Sequence, residues 1–182
     1  MATPENTRVI NPKFAFYGPM GFDAGAVIGN RLLAFFAQEG HEPYPGARTE
    51  YRGWILDTVE EVWNRSEKRF LELWRENIVG DAYESSLFTD RASCEELILE
   101  QRRYLHRLFH DSLGFAGVKM IRRILGLAHV EELEAILDPD LKARCEPKAL
   151  RVGRLLVINT ESFAKISEVT AAAREEYSDN EG

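Results

Sequence analysis

Apolar residues return every three to four positions in the first third of the chain, as they do along one face of an α-helix. Between positions 24 and 40 this pattern predicts an amphipathic helix, and Asp23 stands where an N-cap residue would accept from the free N–H groups of the first turn. Gly40 is expected to end this helix, because glycine readily adopts the backbone found at a helix C-terminus. The predicted apolar face consists of Val27, Ile28, Leu32, Phe35 and Phe36.

The longest periodic segment covers positions 49–77. Its polar face carries charges of both signs, which is typical of a solvent-exposed surface. Its apolar face is rich in tryptophan, so the segment predicts a long helix that packs along one side. That face consists of Trp54, Ile55, Val59, Trp63, Phe70, Leu71 and Trp74.

The second half of the chain predicts five further helical segments, at positions 92–113, 116–130, 130–137, 148–159 and 167–177. Ser93 and Glu96 have the spacing of a capping box at the start of the first of these. Gly114 is expected to end that helix, and Asp138 with Pro139 is expected to stop the segment at 130–137.

These elements place the chain in the mainly α class. A short apolar strand or hairpin is expected near Val9, but no alternation of strands and helices follows it, and no repeat of fixed period appears. We therefore expect one helical domain over positions 9–177, with an N-terminal extension at 1–8 and a polar tail at 178–182.

Composition and charge argue against some classes of binding partner. Hydrophobic residues make up 45% and charged residues 29% of the chain, as in an ordinary globular protein. The net charge of −7 argues against nucleic acid as a partner, which requires a basic face. No apolar run reaches the ~20 residues of a membrane span, so no membrane partner is expected. Cys94 and Cys145 lack a metal-type spacing and are interpreted as free thiols in a reducing compartment, the cytoplasm.

Two local motifs carry side chains that can bind a metal ion or a ligand. His106 and His110 stand four apart, a spacing that can share a metal, but no acidic residue lies between them, so a pair of ordinary helix histidines is favoured. Arg122 and Arg123 are adjacent guanidiniums that can hold an anionic or polyhydroxyl ligand. The alternative, one arginine in a buried ion pair and the other in solvent, remains equally open. No self-contained catalytic motif is present, so no catalytic residue is assigned.

Three long strings carry a family resemblance: NPKFAFYGPMGFDAGAVIGNRLLAFFAQEGH, YRGWILDTVEEVWNRSEKRFLELW and HDSLGFAGVKMIRRILGLAHVEELEAI. Together they resemble S-methyl-5-thioribose kinase, and the likeness extends over positions 9–177. The resemblance implies the helical C-terminal lobe of a protein-kinase-like fold of the aminoglycoside phosphotransferase type. It also implies a reaction, the ATP- and Mg²⁺-dependent phosphorylation of the anomeric hydroxyl of methylthioribose in methionine salvage.

The resemblance assigns roles to particular residues. Arg122 and Arg123 match the family's twin arginines, which implies that they lie at the sugar site and stabilise the transferred phosphoryl group. Asp23 matches the aspartate of the family's GFD motif, which implies a structural anchor. Asn11 and Lys13 stand where the family has a metal-binding Asp-Pro-Glu, and Lys13 puts a cation where Mg²⁺ needs an anionic ligand.

The expected function follows from these matches and departures. The resemblance begins just after the family's catalytic loop, so we expect the nucleotide-binding lobe and the base aspartate to be missing and the chain alone to be inactive, with no cofactor of its own. The alternative is a non-catalytic module that binds methylthioribose, or that pairs with a full-length kinase and regulates it; a homodimer is also implied. In a third hypothesis, a companion polypeptide supplies the other lobe, but an intact split enzyme should have kept the acidic pair.

Overall fold

Six α-helices make up most of the computed structural model, which describes residues 2–3, 6–7, 18–77 and 83–178. Short 3₁₀ turns follow or precede some of the helices, at Gln38–His41, Ser85–Leu87 and Thr160–Ser162. The six helices are α1 (Gly21–Ala37), α2 (Thr49–Glu76), α3 (Arg91–Leu125), α4 (Glu131–Glu134), α5 (Pro139–Ile158) and α6 (Ile166–Ser178). The mainly α prediction is confirmed.

Two strands of two residues each form an antiparallel hairpin near the N-terminus. β1 (Ala2–Thr3) pairs with β2 (Asn6–Thr7), so that Ala2 faces Thr7 and Thr3 faces Asn6. The strand expected near Val9 lies outside the described residues, as does the tail beyond Ser178.

The central element is α3, whose 35 residues run without interruption through Gly114. The prediction that Gly114 ends a helix was therefore wrong. The segment at 92–113 and the first ten residues of the segment at 116–130 belong to a single helix, which ends at Leu125. Glycine lowers helix stability by about 1 kcal/mol, and packing against neighbouring helices readily outweighs that cost. Both α1 and α5 pack along α3, so this stretch is supported from two sides.

Glycines let α1 approach the backbone of α3 closely. A Cβ added at Gly21 would lie 2.9 Å from the nitrogen of Ser112, one at Gly25 would lie 2.4 Å from the oxygen of Ser112, and one at Gly29 would lie 2.8 Å from the oxygen of Ala116. Contacts that advance in the same order along both helices mean that α1 and α3 run in the same direction. The three glycines are four residues apart, so they share one face of α1.

The hydrophobic core connects α1, α3 and α5 with the other helices. Phe36, Leu113 and Leu156 are fully buried in one cluster. Trp63 of α2 joins it, with its ring centroid 4.9 Å from that of Phe109. The apolar face predicted for α2 is therefore buried at Ile55, Val59 and Trp63. Trp54, which was expected on the same face, is exposed, and the rest of the face, at Phe70, Leu71 and Trp74, is only partly buried.

Three predicted helix boundaries need correction. Helix α1 starts at Gly21, so Asp23 lies in its first turn and is not its N-cap. The cap of α3 is Asp90, which accepts from the backbone N–H of Ser93 at 2.9 Å; Ser93 thus occupies the third position of the capping box. Asp138 caps the start of α5 and Pro139 follows as its first residue, so this pair begins a helix where a stop was expected.

Most of the remaining boundaries agree with the sequence to within a few residues, but α5 starts at Pro139, nine residues before the predicted start at 148. Gly40 lies in the 3₁₀ turn that directly follows α1, and α2 ends at Glu76, one residue before the predicted end. The helix expected at 148–159 is the second half of α5, while α4 and α6 lie within or near the predicted segments at 130–137 and 167–177.

Candidate functional site

Arg122 and Arg123 lie in the last turn of α3 and have different surroundings. Arg123 donates from Nη1 to the carbonyl oxygens of Ala128 at 2.9 Å and His129 at 3.5 Å. This contact holds the loop after α3 against the helix end. Arg122 is exposed, and its side chain makes no hydrogen bond or ion pair with any residue that the structure describes. Its guanidinium is therefore available to a ligand.

Lys119 adds a third positive charge to the same end of α3. It precedes the arginines by three and four residues, so the three side chains are neighbours on the helix surface. Burial, and then the charges of Arg123 and Arg122, hold the pKa of Lys119 below its usual value. Within residues 18–77 and 83–178, no carboxylate pairs with any of the three, so this basic cluster of Lys119, Arg122 and Arg123 favours an anion.

The alternative for the arginines, one in a buried ion pair and the other in solvent, agrees with the structure only in part. One of them, Arg122, does face solvent, but Arg123 binds backbone carbonyls and is only half-buried. A helix C-terminus carries partial negative charge, which stabilises cations there. The partial negative charge of the helix end thus explains why cations are stable at this position. Ligand binding by the arginines stays a prediction.

Asp23 lies away from the basic cluster. The start of α1 is level with Asp111 and Ser112 of α3, eleven residues before Arg122 and Arg123. At 1.5 Å per residue, this is roughly 16 Å along the helix axis. Asp23 is exposed and forms no hydrogen bond with a described residue, so the structure does not bring it together with the arginines. Its anchoring role remains a prediction.

The predicted metal positions, Asn11 and Lys13, lie outside the described residues. Within the part of the chain that the structure does describe, no group of three or more His, Cys, Asp or Glu side chains is placed to hold a metal ion. In those same segments, no helix is long and apolar enough to cross a membrane.

His106 and His110 form a contact pair, with ring centroids 4.2 Å apart. His110 donates from Nε2 to the carbonyl of Phe163 at 3.0 Å, which ties α3 to the turn before α6. Both rings line a shallow cleft of about 610 Å³ that also contains Asp111 and Glu161. The bond to Phe163 gives His110 a structural contact, in line with the interpretation of ordinary helix histidines.

A larger cleft, of about 970 Å³, was not anticipated from the sequence. It lies between the loop before α2, with the sequence HEPYPGAR, and the side of α5. Gly46 in this loop has a φ of 85°, a left-handed conformation that favours glycine. The available signal was the Pro-Tyr-Pro-Gly sequence, which predicts a stiff turn but does not reveal what faces it.

Known proteins resemble the chain over nearly its whole length. It is 46% identical over 171 residues to methylthioribose kinase 1 of Oryza sativa subsp. japonica, which covers 93% of this chain and 39% of the rice protein. It is 37% identical over 175 residues to the methylthioribose kinase of Escherichia coli O45:K1, and 33% identical over 169 residues to that of Geobacillus sp. WCH70. No protein-family model matches the chain.

The chain is homologous to the methylthioribose kinases. The alignment with the E. coli kinase covers 96% of this chain but 41% of that kinase. The chain therefore spans about two fifths of the length of these relatives. The helical fold agrees with a helical lobe of a kinase-like family member. The family resemblance drawn from the three sequence strings is thereby confirmed.

Proposed function

We propose that this chain is the sugar-side helical lobe of a methylthioribose kinase, and that it binds methylthioribose at the basic cluster but does not phosphorylate it unaided. The single observation that carries this proposal is the exposed Arg122 guanidinium, which lies on a helix end whose loop Arg123 holds in place. A forked donor in a fixed position can bind sugar hydroxyls and the charge of a phosphoryl group. The family relationship supports methylthioribose as the ligand.

The proposed lack of activity depends on the metal positions. Phosphoryl transfer relies on metal ions that neutralise the developing charge. Asn11 keeps one neutral oxygen, while Lys13 places a positive charge where the family's motif has an acid. Both changes weaken Mg²⁺ binding. ATP and Mg²⁺ are therefore proposed as cofactors of the family reaction and not of this chain by itself.

A protein partner forms the second part of the proposal. As a regulatory module, the chain would pair with a full-length kinase, or with a second copy of itself. The family relationship supports this alternative, and the cytoplasm is the proposed compartment. Failure of the chain to co-elute with a full-length kinase, together with a purely monomeric mass in sedimentation, would remove it.

Isothermal titration with methylthioribose, with and without Mg²⁺-ATP, tests the sugar site. We expect binding, and a loss of about tenfold in affinity for Arg122→Ala, since a guanidinium bound to a polar ligand contributes a charge-assisted hydrogen bond. Arg103→Ala is the matched control, because Arg103 is also exposed on α3 but lies outside the basic cluster. Equal affinities for both variants would contradict the proposed site.

An assay for phosphorylated methylthioribose tests the second claim. The purified chain with Mg²⁺-ATP is expected to form no product above background. Formation of product that persists after Asn11 and Lys13 are both replaced by alanine would show that these positions do not limit the reaction. Any turnover by the unaltered chain would overturn the claim of inactivity.

A further inference from the structure

The large cleft has the size and the side-chain lining of a small-molecule binding site. Its volume of about 970 Å³ lies within the range of roughly 300–1,000 Å³ that is common for ligand pockets. One wall is the loop at positions 43–46 and the other is the side of α5, with Arg144 and Pro147. The carboxylate of Glu42 accepts from the backbone N–H of Gly46 at 2.8 Å, which fixes the loop wall.

Cations outnumber carboxylates around this cleft, on a protein whose overall charge is −7. Two of the cations form its floor and are already paired. Lys148 donates to Glu39 at 2.6 Å, and Arg52 forms an ion pair with Glu42. These two carboxylates are the only acidic side chains among the described residues that line the cleft.

Arg144 has no carboxylate partner among the described residues. The other cation on the α5 wall, Arg151, binds Glu176 of α6 at 2.5 Å. Arg144 is exposed and has no hydrogen bond or ion pair with any residue in the described ranges. The cleft therefore presents one guanidinium with its forked donors unused, which is the geometry that binds a carboxylate or a phosphate.

Tyr44 supplies an aromatic surface on the opposite wall. Its side chain is 67% exposed and makes no ring contact with a described residue, although it belongs to the lining of the cleft. Pro43 and Pro45 flank it and restrict the backbone. An exposed ring on a stiff loop can stack on a flat ligand at little cost in conformational entropy.

We infer that this cleft binds a small organic anion that carries a flat ring, with the anionic group on Arg144 and the ring against Tyr44. The site is separate from the basic cluster at the end of α3, and the inference does not depend on the proposed kinase function. Carboxylate and phosphate share the chemistry that Arg144 recognises, and separate probes distinguish them.

Titration calorimetry with phenyl phosphate and with benzoate tests the inference, with inorganic phosphate and phenol as probes that lack the ring or the charge. We expect one of the two ring-bearing anions to bind at millimolar concentration or below. Arg144→Ala and Tyr44→Ala should each weaken that binding by about tenfold, because each removes one of the two contacts. The ring-bearing anion that binds more tightly identifies the anionic group.

Arg154→Ala is the matched control, since Arg154 is exposed on the same helix and does not line the cleft. It should leave the affinity of the cleft for the ring-bearing anion unchanged. Absence of binding by both ring-bearing anions, or equal loss in Arg144→Ala and Arg154→Ala, would overturn the inference. Loss in Arg122→Ala alone would also overturn it, because the anion would then bind at the end of α3.

Discussion

At the scale of single residues, the most constrained group is the ring of Tyr177 with its two buried cations. Arg52 lies 4.3 Å and Lys148 lies 4.7 Å from the ring centroid, and each cation also has one carboxylate partner. Buried charges are costly unless they are paired, so Glu42 and Glu39 are required to balance them. This cluster joins the end of α6 to α2 and α5, which are far from it in the sequence.

Cys145 lies close to that cluster and should be chemically inert. Burial, followed by the negative charge of Glu39, raises the pKa of its thiol to about 11. Because the thiolate is the reactive form, we expect only Cys94, which is exposed, to react rapidly with a thiol reagent such as DTNB at pH 8. Cys145 should react only after denaturant is added.

The Cys94→Ser variant is the control and should show no rapid thiol. Two thiols reacting at equal rates in the native protein would contradict the prediction.

The raised pKa of the Cys145 thiol also has a consequence for the free energy of unfolding. Above the ordinary thiol pKa of about 9, the unfolded chain loses the Cys145 proton while the folded chain keeps it, so stability should fall as the pH rises from 9 towards 11.

The sequence identified the candidate arginines but not their different environments. Arg122 and Arg123 are neighbours in the chain, yet one faces solvent and the other binds the carbonyls at Ala128 and His129. That difference depends on how the loop after α3 folds back, which no local pattern encodes. The cleft at Tyr44 and Arg144 was missed because its walls are about a hundred residues apart.

At the scale of elements, close packing of helices depends on glycine. Gly25→Ala would place a Cβ 2.4 Å from the oxygen of Ser112 and 2.7 Å from the Cβ of Phe115. Backbone cannot yield as a flexible side chain does, so α1 would have to shift. We expect a loss of about 1–3 kcal/mol in the free energy of unfolding, measured in urea.

Gly53→Ala in α2 is the matched control for that prediction. A Cβ at Gly53 would meet no atom within 4 Å. Alanine at a helical position without a clash should stabilise the protein by about 0.5–1 kcal/mol. If both substitutions changed the stability equally, close approach of α1 to α3 would not be the reason for Gly25.

Helical periodicity predicted where apolar faces lie more reliably than where helices end. On the face predicted for α2, Ile55, Val59 and Trp63 are buried as expected, because an apolar stripe has to be covered. Trp54 is the exception and is exposed. The ends were less accurate. Gly114 lies inside α3 since packing on both sides supports it, and Asp138 begins α5 because its side chain accepts from the backbone N–H of Asp140 at 2.8 Å.

At the scale of the whole molecule, one continuous core joins the helices, so the chain should unfold as a single unit. Trp63 is buried in that core, and its fluorescence should report tertiary packing. We expect the urea transitions followed by tryptophan fluorescence and by far-ultraviolet circular dichroism to coincide. Trp63→Phe provides the control, because the two tryptophans that remain, the exposed Trp54 and the partly buried Trp74, should then give a weaker fluorescence change.

Transitions at separate urea concentrations would contradict a single cooperative unit. They would also mean that part of the described helical structure is stable without the rest. A single transition would establish the chain as a folding unit, and the ligand titrations could then be interpreted on an intact protein.

The sequence by itself determined the helical class, most of the apolar faces and the homology to the methylthioribose kinases, because periodicity and long matched strings are local properties of the chain. Only the tertiary structure decided that α3 is continuous, that Arg122 and Arg123 differ, and that Tyr44 and Arg144 line the same cleft. These features arise from contacts between residues distant in the sequence, and their energies depend on which helices meet and how closely the glycines let them approach.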